Sequence, residues 1–178
     1  TSGIALAGLG LIFIGLESMG NAMESVKESQ VIVDILGSIS NPFLLLALGA
    51  IATAVIQSSS AMAAIVISMV GSGLVIGNGG NSVLFVILGT NVGTCITALL
   101  SSIGATPNGR RASLIHFMFN LFGSMIFTII LLIWKDFMQG VLVKAIPDPK
   151  MQIAIFHILF NVLCTIMFLP LANVFVRL

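Results

Sequence analysis

Apolar residues run through this chain in long blocks that polar residues interrupt at only a few places. A membrane-spanning helix needs roughly 20 predominantly apolar residues, and four blocks meet that length: residues 3–23, 82–103, 112–134 and 151–177. Gly3, Gly8, Gly10 and Gly15 in the first block allow close helix contact. Trp134 closes the third where an interfacial anchor belongs, and Pro170 predicts a kink in the fourth. Residues 24–41 carry Glu24, Lys27, Glu28 and Asp34 and end at Asn41-Pro42. They read as a surface connection, partly a helix lying at the interface on Val26, Val31, Val33, Ile35 and Leu36.

The stretch from Pro42 to Ile76 has a different pattern. It is apolar on both sides of Gln57-Ser58-Ser59-Ser60, with no charged residue in either flank. Pro42 suits a first helical turn, so one helix runs to about Ile56; a second starts at Ser60 and ends near Gly71-Ser72-Gly73 or Ile76. Each arm spans roughly 23–25 Å, short of a hydrocarbon core of roughly 30 Å. A re-entrant helical hairpin over 42–76 is therefore expected in preference to one long helix through the polar tetrad.

Further along, residues 77–81 (Gly-Asn-Gly-Gly-Asn) are a turn. Gly89-Thr90-Asn91-Val92-Gly93-Thr94 places two glycines in mid-span, which predicts local unwinding. Gly104 to Arg111 reads as a short basic loop, and Lys135 to Lys150, with Pro147 and Pro149, returns outside the hydrocarbon. His116 with Asn120 and His157 with Asn161 repeat one spacing in two helices, each pair on one face. Such stripes line a bundle interior, either at a site or as hydrogen-bonding glue between helices; glue is the simpler reading.

Composition turns these spans into a class. The chain is 58% hydrophobic and 7% charged, against about 45–50% and about 25% in soluble domains, so it is an integral membrane protein. A net charge of +1 gives no hold for nucleic acid. Cys95 and Cys164 fall inside apolar blocks and read as packed free thiols. Residues 1–23 show no secretory signal pattern, and a first residue other than Met is expected of a processed or excised segment. With a hairpin at 42–76, Lys27, Lys135, Lys144 and Lys150 fall on one side and Arg110, Arg111 and Arg177 on the other. That split is too even to orient the chain.

Enzyme signatures are missing: the chain holds no His-Glu-x-x-His, Cys-x-x-Cys, Walker loop or Gly-x-Ser-x-Gly. Glu17, the one acid inside a predicted span, reads as interfacial. Polar side chains at membrane depth face a cavity or a ligand, and the tetrad has the chemistry for one. At a helix break, the hydroxyls of Ser59 and Ser60 and the amides that follow form an anion site without Arg or Lys. Gln57 can donate or accept. The oxygens of Gln57, Ser58, Thr94 and Thr97, with carbonyls freed at the break, are hard ligands of the kind Na⁺ accepts. Anion and cation together neutralise each other in a low-dielectric site, a physical basis for coupled transport.

On Gln57-Ser58-Ser59-Ser60-Ala61, Gly89-Thr90-Asn91-Val92-Gly93-Thr94 with Thr97, Arg110-Arg111-Ala112 and His116-Phe-Met-Phe-Asn120, the chain resembles the type II sodium–phosphate cotransporters over nearly its whole length. It looks like the second of that family's two Gln-Ser-Ser-Ser repeats, which have opposite topology and meet near mid-membrane. The resemblance implies phosphate contacts at Ser58, Ser59 and Ser60, Na⁺ coordination involving Gln57, Ser58, Thr94 and Thr97, and a pocket shaped by Asn91. Cys95 and Ile96 depart from it, standing where many relatives carry further Thr.

The resulting expectation is an all-α integral membrane bundle with a re-entrant hairpin and an unwound transmembrane helix, a single transmembrane repeat over residues 1–178 that is one half of an inverted-repeat transporter. Its function would be sodium-coupled phosphate symport at the plasma membrane, with no cofactor beyond co-transported Na⁺. Its partners would be phosphate, Na⁺, the bilayer and a second inverted repeat, on a separate segment or as an antiparallel copy in a homodimer. The alternatives are a transporter or channel for another small anion, or a non-transporting assembly module.

Overall fold

A computed structural model describes residues 2–171, apart from the side chains of Ser2, Met23, Glu24, Val26 and Lys27. Every regular element among them is helical. In chain order these are α1 (Ser2–Glu28), α2 (Gln30–Ser38), α3 (Pro42–Ile56), α4 (Ser59–Gly71), α5 (Ser82–Ser101) and α6 (Pro107–Ile133). A π-helical turn (Met138–Leu142) leads into the short α7 (Val143–Ala145), and α8 (Pro149–Phe168) ends in a 3₁₀ turn, Leu169–Leu171. Four segments are long and apolar enough to cross a membrane: Gly3–Ala22, Ser82–Ser101, Pro107–Ile133 and Pro149–Leu171. The chain is a multi-pass membrane protein, as its composition requires. The end of the last expected span, 172–177, lies outside the described residues, while the expected disturbance at Pro170 falls in the 3₁₀ turn.

Three helices begin with one local device, a polar cap followed by proline. The side chain of Asn41 accepts from Phe43 N and Leu44 N, Thr106 from Gly109 N, and Asp148 from Lys150 N, with Pro42, Pro107 and Pro149 next in line. The cap satisfies amides that lack an intrahelical acceptor, and proline has no amide to lose. This device starts α6 earlier than expected. Arg110 and Arg111 lie in its first turns and not in a loop, because Thr106-Pro107 caps the helix there.

Helix α5 is the core of the bundle; every residue from Ser82 to Asn91 is buried. On one face α3 lies against it with almost no space between backbones. A Cβ at Gly49 would collide with the Val86 carbonyl, one at Gly89 with the Leu46 carbonyl, and one at Gly93 with the Ala50 carbonyl. The two helices run parallel: Pro42 borders one cavity with Ser82 and Phe85 at their starts, and Ala50 and Ala54 border another with Gly93 and Ile96 farther along. Helix α6 packs antiparallel on α5, fixed by Ser124 Oγ to Leu88 O at 3.1 Å and Ser113 Oγ to Ala98 O at 2.8 Å. Helix α8 is antiparallel to α6 through the Phe127–Phe160 and Phe119–Phe168 ring pairs, 5.0 and 5.3 Å between centroids.

This packing corrects one expectation. The segment around Gly89 and Gly93 does not unwind, and α5 is continuous from Ser82 to Ser101. These glycines remove side chains where α3 crosses, as small residues do at close membrane-helix contacts; the packing gained offsets their poor helix propensity.

The ends of α3 and α4 away from the tetrad meet at one place. Gly77 N donates to Leu36 O at 2.8 Å, and with φ +66° Gly77 sits against the Ile39 carbonyl. Thus α3 leaves and α4 returns at the same end, and the two helices form a hairpin. Asn81 locks this base: its Nδ2 donates to Leu131 O and Trp134 O at 2.9 and 2.8 Å, and its Oδ1 accepts from Met138 N at 2.9 Å. Lys135, Lys144 and Lys150 follow or border this base, whereas Arg110 and Arg111 lie at the opposite end. The Lys27 side chain and Arg177 lie outside the described residues.

Candidate functional site

The hairpin reverses within two residues. Gln57 caps α3 in the left-handed conformation (φ 58°, ψ 24°), and its amide donates to Thr53 O at 2.6 Å. Among the described residues it is the one non-glycine with positive φ. That conformation costs about 1–2 kcal/mol without glycine, and strain of this kind collects at functional sites. Ser58 is extended (φ −146°, ψ 107°), and its hydroxyl oxygen caps α4 by accepting from Ala61 N at 3.2 Å. A single long helix through the tetrad is excluded by these two residues.

The reversal exposes complementary groups side by side. Among the described residues the amides of Ser59 and Ser60, in the first turn of α4, have no acceptor, and the carbonyls of Ala54, Val55 and Ile56, after the one Gln57 uses, have no donor. Donors with the positive end of the α4 dipole favour an anion; the carbonyl end of α3 favours a cation. Gln57 and Ser60 are exposed and Ser58 and Ser59 half-buried, so the tip is accessible. Ser58 keeps its O–H as a donor although its oxygen is engaged as a cap.

The other expected residues divide between two faces of α5. Thr97 lies one helical turn beyond Gly93, on the face that meets α3, and the parallel register carries Gln57 to its level. Thr97 is exposed. Half-buried Thr94 donates from Oγ1 to Thr90 O at 2.8 Å, leaving its lone pairs as acceptors. Asn91 faces elsewhere. It is buried, its Nδ2 donates to Ile87 O at 2.9 Å, and its Oδ1 lies 3.3 Å from His157 Nε2 on α8. Asn91 is thus held in the α5–α8 packing.

Asn91 turns its Oδ1, an acceptor only, toward α8, so a hydrogen bond here has His157 Nε2 as its donor. The repeated His/Asn spacing resolves the same way in both helices, Asn120 Nδ2 donating to His116 O and Asn161 Nδ2 to His157 O. Interhelical glue describes His157 well. His157→Leu, which leaves the Asn91 oxygen buried and unpaired, is expected to cost about 1–3 kcal/mol. His157→Gln, a donor of similar reach, should recover most of it; denaturant titration in micelles measures both.

Thr53 is the residue that sequence reading missed. It is fully buried on α3, one turn before Gln57 and against Gly93, and its Oγ1 has no hydrogen-bond partner. Within the apolar run Ala52-Thr53-Ala54 nothing in the sequence marks it, since a helical Thr ordinarily bonds back to its own helix. Both cysteines are buried free thiols. Cys95 Sγ sits 3.6 Å from Asn91 O and 3.7 Å from His116 O, so it bridges α5 and α6.

A helical membrane bundle that gathers unpaired amides, carbonyls and hydroxyls at a broken hairpin has the construction of an ion-coupled transporter. The chain belongs to the Na⁺/Pi-cotransporter family, whose sequence profile matches residues 11–146. This is a family of transporters, not enzymes, that move sodium and hold no cofactor. The chain is 30% identical over 177 residues to YqeW of Bacillus subtilis, covering 99% of this chain and 55% of that one. It is 26% identical over 172 residues to the putative inorganic phosphate export protein YjbB of Escherichia coli, covering 96% of this chain and 30% of that protein. It is 38% identical over 87 residues to human sodium-dependent phosphate transport protein 2B, covering 46% of this chain and 12% of that one. The chain thus spans about half or less of the relatives it matches. No solved structure matches it.

Proposed function

We propose that this chain carries one of two opposed hairpins of a sodium-coupled phosphate symporter of the plasma membrane. The observation that carries the reading is the break at Gln57-Ser58, which leaves the amides of Ser59 and Ser60 unpaired beside three serine hydroxyls. Phosphate is held by those amides and by hydroxyls of Ser58, Ser59 and Ser60, with Gln57 beside it. The hairpin re-enters the membrane from the lysine-rich end, and the second repeat, on another segment or an antiparallel copy, supplies the opposing tip.

Na⁺ sits under the anion between α3 and α5, against oxygens of Gln57, Ser58, Thr94 and Thr97. Thr53 adds a further oxygen from below, which accounts for a buried hydroxyl with no protein partner. Removing it separates stability from function. Thr53→Val keeps the shape and deletes an unsatisfied group, so stability should rise by about 1 kcal/mol. The Na⁺ concentration giving half-maximal phosphate binding should rise about tenfold, the equivalent of about 1.4 kcal/mol.

The reading as a whole is tested by phosphate uptake into proteoliposomes under an inward Na⁺ gradient. Uptake is expected with Na⁺, not with choline, and is not expected to be suppressed by equimolar sulfate. Equal competition by sulfate would point to a broader anion transporter. Uptake indifferent to Na⁺ would end the symport reading.

A further inference from the structure

Far from the tip, at the base end of the bundle, a polar cavity of about 380 Å³ opens between three helices. Glu17 and Asn21 line it from α1, Ser68 and Ser72 from α4 and its cap, and Lys150 from the start of α8. All five lie where apolar spans give way to polar connections. Glu17 is near the end of the Gly3–Ala22 span and Lys150 in the first turn of Pro149–Leu171. The cavity is therefore at the depth of lipid headgroups, not of acyl chains.

Three groups at the cavity, Glu17, Lys150 and Ser68, have no side-chain partner among the described residues. The carboxylate of Glu17 and the ammonium of Lys150 line the same space, yet neither forms an ion pair among the described residues. The Lys150 stem lies across Gly71, where any Cβ would collide with it, so the ammonium is led along α4 toward the cavity. Ser68 is 8% exposed and its hydroxyl has no partner among the described residues, although it lines the cavity. Ser72 Oγ spends its proton on Met69 O at 2.8 Å and offers only an acceptor.

We infer that this cavity binds the zwitterionic headgroup of an aminophospholipid, a phosphate ester carrying a primary ammonium a few bonds away. The phosphate lies against Lys150 and the Ser68 hydroxyl, and the ammonium against Glu17, with Asn21 and Ser72 as further acceptors. Opposite charges lining one cavity match a ligand that is itself a dipole. A purely anionic headgroup meets repulsion from Glu17. A quaternary ammonium lacks the N–H that makes the contact with carboxylate a charge-assisted hydrogen bond. The site is independent of the hairpin tip and of phosphate transport.

Native mass spectrometry of the intact chain, released from mixed micelles with equimolar ethanolamine, choline and glycerol phospholipids of matched acyl chains, tests it. The ethanolamine lipid should be retained about tenfold over the other two. Glu17→Gln should abolish its advantage over the choline lipid, and Lys150→Met and Ser68→Ala should weaken retention of the ethanolamine lipid. Glu17 is exposed, so its substitution leaves folding intact, and an unchanged melting temperature of Glu17→Gln in a single detergent verifies this. Equal retention of all three lipids would overturn the inference, as would an ethanolamine preference that survives Glu17→Gln. Displacement of the lipid by millimolar inorganic phosphate would overturn it too, by reducing the cavity to a phosphate subsite.

Discussion

Gly89→Val is expected to abolish the folded bundle. The added Cβ would meet the Leu46 carbonyl and lie 2.9 Å from Ala50 N, so α3 must move away from α5 as a rigid unit. Overpacking a core against side chains costs about 1–3 kcal/mol, and here the obstacle is backbone that no rotamer change can clear. A loss of about 3 kcal/mol or more follows, with similar losses for Gly93→Val, whose Cβ would also lie 2.8 Å from Thr53 Cβ. Gly3→Val and Gly8→Val, where nothing lies within 4 Å, should leave stability unchanged. Unfolding by sodium dodecyl sulfate titration compares the four directly. A stable Gly89→Val bundle would show that α3 and α5 are not in close contact.

Ser59→Ala and Ser60→Ala are expected to weaken phosphate binding without unfolding the chain. Neither hydroxyl has a partner within the described protein, so each substitution removes only what the side chain gives to a ligand. A hydrogen bond to a charged group contributes about 1.5–3 kcal/mol, equivalent to a tenfold to hundredfold rise in Kd for each. Ser58→Ala should behave differently. Its oxygen caps α4 at Ala61 N, so it should lose about 1 kcal/mol of stability as well.

Much of this arrangement is legible in the sequence for physical reasons. Apolar block length marks the spans, and Pro42 with the polar tetrad marks the starts of both hairpin arms to within a residue, because charge-free apolar arms around four polar residues have few other arrangements. The glycines of α5 misled, since the same residues that weaken a helix in isolation permit it to pack. Periodicity cannot tell a glycine that bends a backbone from one that admits a neighbour. Asn91 likewise reads as part of a polar motif, and only its pairing with His157 shows which side of α5 it serves. Thr53 was silent because its significance is the partner it lacks. The Thr106-Pro107 start of α6 is legible from the capping rule, although the basic residues just after it have the composition of a loop.

The central claim is that the broken hairpin is a sodium-dependent phosphate site. Equilibrium binding of radiolabelled phosphate to the purified chain, in Na⁺ or in choline, alongside the Ser59→Ala/Ser60→Ala double variant, tests it most directly. Saturable binding in Na⁺ that is absent in choline and lost in the folded double variant is the expected result. Phosphate binding that survives in that variant, or that ignores Na⁺, would contradict the account.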